Sequence, residues 1–196
     1  MILPLLSTKM SVTIERMENV MIRFLKHIQT VNAHRREVRK NCFKCGLYYQ
    51  GLTHDLSKYS YTELKDSVEY FHGDRSPYHY EKLEKGFALG WLHHKGINKH
   101  HFEYWYDIID GIYQPLEMPD RYIAESICDR VAACKTYQKD KYTQKSPIEY
   151  FETVPERNFM HPKTQEKLRF YLQMIADKGE DATFRYIKEA LKNNTF

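Results

Sequence analysis

Apolar residues recur at spacings of three and four along most of this chain, and that is the period of an amphipathic helix. Between about Thr13 and Cys45 the pattern is carried by Ile14, Met17, Met21, Phe24, Leu25, Ile28 and Val31. It returns between Met118 and Tyr137, where one face carries Ile123, Ile127, Val131 and Cys134. No segment has a convincing strand pattern, so the sequence predicts an all-α fold with a long first helix.

Capping and turn residues predict where the other helices begin and end. The segment "SYTE", Ser60 to Glu63, has the spacing of a capping box and predicts a helix start. A third helix is predicted from about His79 to a C-cap at Gly96, and a fifth starts at Ser146. The last two helices are predicted at about 162–176 and 181–193. Because the one candidate linker, "TVPERNFMHPK", is short, we predict a single domain over residues 1–196.

Charge and cysteine content limit the classes of partner and compartment. A net charge of +4 is too small to favour nucleic acid, and the basic run "HRREVRK" is interpreted as a helix surface rather than a phosphate-binding patch. The opening "MILPLLSTKM" is interrupted by Pro4 and is interpreted as a packed arm or a frayed terminus. No run is long enough to cross a bilayer. Four cysteines without a signal peptide predict a cytoplasmic protein without disulfides, and we interpret Cys42 and Cys45 as core or near-surface thiols.

Histidines and aspartates are concentrated in a few segments. "GLTHDLSKYS" places His54 beside Asp55, and Asp129 interrupts an apolar helix face. Further histidines lie on the first helix and in "LHHKGINKHHFEYW", namely His27, His34, His93, His94, His100 and His101. Neutral imidazole together with carboxylate suits zinc, manganese or iron. These residues therefore indicate a metal site.

Each of these features also has a purely structural interpretation. The His54–Asp55 pair fits a surface turn, and the later histidines fit a solvated polar turn after a helix end. A buried aspartate such as Asp129 needs a partner, which Arg35, Arg36 or a nearby lysine would supply. The sequence alone leaves these alternatives open.

The order of these residues resembles that of the HD superfamily of metal-dependent phosphohydrolases. More narrowly, the chain resembles the DUF5662 family, whose pattern is approximately H-x-x-x-V, G-L-x-H-D-L-S-K, H-x-x-x-N-x-H-H-x-E and E-M-x-C-D-W-x-A-A. These motifs read here as residues 34–38, 51–58, 94–103 and 125–133. Ser126 and Arg130 depart from the pattern, which has methionine and tryptophan there. The resemblance implies an HD-like core at about 13–140 and a helical extension at about 146–196.

The resemblance also implies a role for each matching residue. His34, His54, Asp55 and Asp129 would form the metal-binding tetrad. His94, His100 and His101 would bind a second metal or the substrate, and His93 and His27 would lie outside the site. Asp55 would bridge two ions, Lys58 would balance its charge or contact a phosphate oxygen, and His100 or His101 would be the general acid. Glu103 and Glu125 would accept hydrogen bonds from metal-bound imidazoles.

The function expected from this resemblance is metal-assisted hydrolysis of a phosphate ester of a nucleotide or small phosphorylated metabolite. One or two ions of manganese, iron or zinc would be required. Two alternatives remain open: an HD-like di-iron oxygenase, and a non-catalytic module that binds a metal or a nucleotide.

Overall fold

The chain is predominantly helical, which confirms the predicted all-α class. The computed structural model describes the backbone of residues 3–196 and the side chains of residues 15–196. Its helices are α1 (Leu3–Lys44), α2 (Tyr48–Thr53), α3 (Tyr61–Glu69), α4 (Pro77–Lys85), α5 (Leu89–Ile97), α6 (Asp120–Gln138), α7 (Ser146–Thr153), α8 (Pro162–Lys178) and α9 (Glu180–Asn193). Short 3-10 turns lie at Leu56–Tyr59, Phe102–Tyr104, Lys139–Lys141 and Pro155–Phe159.

The core lies where α1 and α6 pack together, with α7, α8 and α9 closing one side. The predicted apolar face of α6 is buried there, with Ile123, Ile127 and Val131 fully enclosed. Val38 and Cys42 of α1 face it. Cys42 and Cys45 are buried free thiols, and Cys45 Sγ lies 3.8 Å from Cys128 Sγ, so the prediction of thiols packed in the core is confirmed.

Helix α1 is longer than predicted, and its described side chains before His27 are largely exposed. The backbone is helical from Leu3, whereas the predicted packing or fraying of the opening segment concerns side chains outside the described residues. Met17, Met21 and Leu25 are 67%, 58% and 51% exposed, although their spacing predicted a buried face. Among the described side chains of α1, burial begins at His27.

Two predictions about local structure were wrong. The third helix is two helices, because Gly86 takes a left-handed conformation (φ 79°) and ends α4, and α5 continues past Gly96 to Ile97. The described residues also contain an antiparallel hairpin of β1 (Tyr106–Ile109) and β2 (Ile112–Pro115). Its turn residues Asp110 and Gly111 both have positive φ, as a two-residue hairpin turn requires.

No helix in the described part of the chain combines the length and the apolar character that crossing a bilayer demands. The boundary predictions for the other helices agree with the structure within a few residues. At the start of α3, Ser60 Oγ accepts a hydrogen bond from the Glu63 backbone N–H at 3.4 Å. In a capping box the Glu63 side chain would also accept a hydrogen bond from the Ser60 backbone N–H. Here the side chain points into the interior instead.

Candidate metal centre

Five parts of the fold bring the histidines and aspartates of the sequence motifs together. Helix α1 carries His34, the turn after α2 carries His54 and Asp55, and α5 carries His94. The loop after α5 supplies His100 and His101, and α6 supplies Glu125 and Asp129. Residues more than ninety positions apart in sequence therefore line one buried site.

The backbone of the turn explains how two consecutive side chains enter the same cavity. His54 follows the last residue of α2 in an extended conformation, and Asp55 is left-handed, with φ 53° and ψ 28°. A non-glycine residue in this region is uncommon and is typical of functional sites. Arg35 holds the turn by donating from Nε to the His54 carbonyl oxygen at 2.8 Å.

This geometry excludes two of the structural alternatives. His54 and Asp55 are only 2% and 1% exposed, so they do not form a surface turn. Arg35 is engaged with the turn, and the ion pair that the structure gives Asp129 is with histidines rather than with an arginine.

The first group of candidate ligands consists of His34, His54, Asp55 and Asp129. Each offers one ligand atom, and these atoms lie within 4.8 Å of one another. His34 Nε2 lies 3.0 Å from Asp129 Oδ1 and 3.7 Å from Asp55 Oδ2. His54 Nε2 lies 3.4 Å from Asp55 Oδ2 and 3.7 Å from Asp129 Oδ1. Two imidazoles and two carboxylates thus face a common point.

The second group consists of Asp55, His94, His100 and His101, with ligand atoms within the same 4.8 Å limit. His94 Nε2 and His100 Nε2 lie 3.3 Å and 3.4 Å from Asp55 Oδ1. Asp55 therefore presents Oδ2 to the first group and Oδ1 to the second, which is the arrangement of a bridging carboxylate.

Several of these ligand atoms are buried without a hydrogen-bond partner. They are Nε2 of His34, His54, His100 and His101, and Oδ1 of Asp55. Buried polar atoms are almost always hydrogen-bonded, and leaving one unpaired costs about 1–3 kcal/mol. Five unpaired atoms in one cavity are explained if cations are their partners, so the residues present fit a metal centre.

Carboxylates outside the two groups fix the orientation of the histidines. Glu125 Oε1 lies 2.8 Å from His54 Nδ1 and 3.2 Å from His100 Nδ1. Because these Nδ1 atoms already pair with Glu125, their Nε2 atoms remain free to bind a cation. His54, His100 and Glu125 also form a third candidate ligand group. The distances within this group are the Nδ1–Oε1 distances just given, which are those of hydrogen bonds.

Glu63 was not among the sequence-predicted site residues. Its Oε2 lies 2.9 Å from His94 Nδ1, and the side chain is 1% exposed. In the sequence, Glu63 is the last residue of "SYTE", and the capping-box pattern already explained a glutamate at this position. Glu103, in contrast, forms no hydrogen bond or ion pair with a described site histidine, and its Oε2 is buried without a partner.

Lys58, His93 and His27 lie outside the two groups of candidate ligands. Lys58 Nζ lies 2.6 Å from Asp55 Oδ2, so the lysine balances the charge of the bridging carboxylate. His93 belongs to neither candidate group, and its Nδ1 lies 2.8 Å from Glu63 Oε1. His27 also belongs to neither group and packs edge-on against Phe71.

Burial and neighbouring charges shift the pKa of several site residues. Burial opposes protonation of His54, but Asp55, Asp129 and Glu125 outweigh it and raise its pKa well above the usual value. Burial likewise opposes ionisation of Asp55, but His54 and Lys58 hold its pKa well below the usual range. Burial lowers the pKa of His101, and its histidine neighbours lower it further. The site therefore favours ionised carboxylates and attracts positive charge.

The two departures from the family pattern lie beside the site on α6. Ser126 is buried, at 5% exposure. The guanidinium carbon of Arg130 lies 5.4 Å from the centre of the Phe151 ring, and burial lowers the pKa of this arginine. Arg130 therefore packs against α7 instead of projecting freely into solvent.

A comparison with protein-family models identifies the class to which the chain belongs. The model described as "Family of unknown function (DUF5662)" matches residues 23–174, which include every candidate ligand. The chain is a member of this family. The searches of curated proteins and of solved structures gave no match.

Proposed function

We propose that this protein is a metal-dependent hydrolase of the HD type that cleaves a phosphate ester of a nucleotide or a small phosphorylated metabolite. The observation that carries the proposal is the sharing of Asp55 between two groups of four candidate ligands. Further support comes from the order of the first group along the chain, His34, then His54 and Asp55, then Asp129, which resembles the HD pattern.

The donor atoms suit manganese, iron or zinc, because imidazole nitrogens are combined with carboxylate oxygens. His34, His54, Asp55 and Asp129 would hold one ion, and Asp55, His94, His100 and His101 would hold the other. Such ions act as Lewis acids on phosphoryl oxygens and lower the pKa of water towards 7.

The exposure of the ligands indicates where a substrate would approach. The side chains of His54, Asp55 and His94 are at most 1% exposed, whereas those of Asp129 and Lys58 are 19% and 22% exposed. The accessible edge of the site therefore carries Asp129 and Lys58. A phosphate oxygen that reaches this edge would meet the Lys58 ammonium group, which is also paired with Asp55 at 2.6 Å.

The same geometry bears on the choice of general acid. Burial and the neighbouring histidines hold the pKa of His101 well below its usual value, so His101 stays neutral at ordinary pH. A neutral imidazole is a suitable metal ligand and a poor proton donor. His101 is therefore excluded as the proton donor, and His100 cannot serve as one while its Nε2 binds the second ion.

The test combines metal analysis with a substrate panel. Protein purified without chelator is expected to contain manganese, iron or zinc, and to hydrolyse at least one nucleotide or sugar phosphate only while the metal is bound. Asp129→Asn should abolish turnover, whereas Glu103→Gln, a control that touches no site histidine, should retain it. Metal without hydrolysis would favour the non-catalytic alternative. Iron with substrate-dependent consumption of dioxygen would favour the oxygenase alternative, and absence of metal binding would refute the proposal.

A further inference from the structure

Glu63 is a buried carboxylate whose partners are two histidines and a tyrosine. Its Oε1 lies 2.8 Å from His93 Nδ1, and its Oε2 lies 2.9 Å from His94 Nδ1. Tyr78 also donates its hydroxyl to Oε2 at 3.1 Å. Among the described residues the ion pairs of Glu63 involve only the two histidines. Since a buried carboxylate costs free energy unless it is well paired, this arrangement requires an explanation.

The packing of α3 against α5 fixes the position of this carboxylate. A Cβ atom added to Gly90 would lie 2.9 Å from Tyr78 Cε1 and 3.5 Å from the Glu63 Cα. The close approach of α5 therefore depends on glycine at this position, and it places His94 directly beside Glu63. Tyr78 fills the remaining space and holds Oε2 in place.

The hydrogen bond from His94 Nδ1 determines what the other ring nitrogen can do. A carboxylate accepts hydrogen bonds, so Nδ1 carries a proton, and in the neutral ring this leaves the lone pair on Nε2. His94 Nε2 lies 3.3 Å from Asp55 Oδ1, in the second group of candidate ligands. Glu63 thus prepares His94 to bind a cation at that group.

The two buried glutamates differ in which groups they reach. Glu125 contacts His54 of the first group and His100 of the second. Glu63 contacts His94, which belongs to the second group alone. Loss of Glu125 should therefore affect both groups, and loss of Glu63 should affect one.

We propose that Glu63 is a positioning residue specific for a second ion, held by Asp55, His94, His100 and His101, and that the two ions bind with separately adjustable affinities. This inference rests on the two-ion site of the proposed function but not on its hydrolytic activity. It predicts that a substitution at Glu63 leaves the affinity for the first ion unchanged and lowers the affinity for the second.

Cobalt(II) titration of the metal-free full-length chain, followed by visible absorption, tests this inference. Wild type should bind two equivalents. E63Q should bind the first equivalent unchanged and the second about 10–100-fold more weakly, as is typical when a histidine loses its carboxylate partner. The absorption bands of the second cobalt should also change, which a general loss of stability would not produce.

Glu81→Gln is the matched control. Glu81 is also 1% exposed and also lies in this part of the fold, where it accepts a hydrogen bond from the Leu89 backbone N–H at 3.2 Å. Its ion pair is with Lys85, at 3.5 Å, rather than with a site histidine. E81Q should therefore bind two equivalents as wild type does.

Several results would overturn the inference. These are a wild type that binds one equivalent, an E63Q variant that binds both ions normally, and one in which both equivalents weaken alike. If E63Q does not fold, E63D keeps the charge on a shorter side chain and should weaken the second equivalent by a smaller factor; an unchanged second equivalent in E63D would count against the role equally. If E63Q affects the second cobalt as expected while no phosphate ester is hydrolysed, the proposed function fails and the role of Glu63 stands.

Discussion

Truncation of Glu125 should weaken metal binding at both groups, and the structure allows the size of the effect to be worked out. Glu125 Oε1 accepts a hydrogen bond from His54 Nδ1 at 2.8 Å and lies 3.2 Å from His100 Nδ1. Loss of such a partner typically reduces metal affinity 10–100-fold. Because one oxygen serves one histidine of each group, Glu125→Ala should reduce the affinity for both ions.

The expected change in stability follows from preferential binding to the folded state. At a metal concentration 100 times the dissociation constant, each ion adds about 2.7 kcal/mol to the free energy of unfolding. A 100-fold weaker site adds about 0.4 kcal/mol at the same concentration, so about 2.3 kcal/mol per ion is lost. For a chain of this size, that is a loss of roughly 5–9 °C per ion in the metal-induced rise in Tm, or roughly 9–18 °C when both ions are affected.

The assay is thermal unfolding with and without added manganese or zinc, together with calorimetric titration of the metal. Glu103→Ala is the control, because Glu103 contacts no described site histidine although the sequence made it an equal candidate. Glu125→Gln keeps an oxygen acceptor and should fall between wild type and Glu125→Ala. The reasoning is refuted if Glu125→Ala retains the full metal-induced rise in Tm, or if Glu103→Ala loses as much of it.

Three further predictions concern single residues. Asp129→Ala should weaken metal binding far more than His93→Ala in calorimetric titration, because Asp129 Oδ1 lies 3.0 Å from His34 Nε2 whereas His93 belongs to neither candidate group; equal losses would contradict the assignment. Burial lowers the pKa of His27 from 6.5 to about 4, so its stabilising effect is complete above about pH 6.5 and is lost as the pH falls to 4. His27→Leu should therefore lose less stability than wild type between pH 7 and 4, by up to about 3 kcal/mol in urea unfolding, and parallel pH profiles would contradict this. Gly90→Ala should cost about 1–3 kcal/mol of unfolding free energy, because its Cβ would lie 2.9 Å from Tyr78 Cε1, and a neutral effect would mean that the tyrosine moves easily.

The parts of the fold that the sequence predicted are those in which local pattern and tertiary packing agree. Helix α6 has its apolar residues at regular spacing, and the same residues are buried against α1. The pattern failed between Met17 and Leu25 of α1, since periodicity reports an apolar face but not whether a neighbour covers it. The hairpin was missed although Asp110 and Gly111 are a strong turn signal, because four-residue strands are too short to show clear alternation.

In the site, the sequence identified the residues that the structure brings together but not the carboxylates that orient them. Histidine and aspartate motifs stand out by composition, so His34, His54, Asp55 and Asp129 could be grouped before any geometry was known. Glu63 and Glu125 could not be separated from other acidic residues in this way. A glutamate three residues after a serine at a helix start is explained locally, and its contact with His94 depends on how α3 meets α5.

The burial of these acidic side chains also bears on how the site and the fold depend on each other. Asp55, Glu63 and Glu125 are 1%, 1% and 5% exposed. Among the described lysines and arginines, only Lys58 forms an ion pair with one of these carboxylates, that of Asp55. Histidines and Tyr78 supply the remaining partners, and each histidine must either take up a proton or leave a carboxylate without a compensating charge. Cations at the two groups would remove this conflict while joining α1, the turn after α2, α5 and α6 at one point. The arrangement that is unfavourable for a metal-free core is therefore the one in which metal binding would stabilise the whole fold.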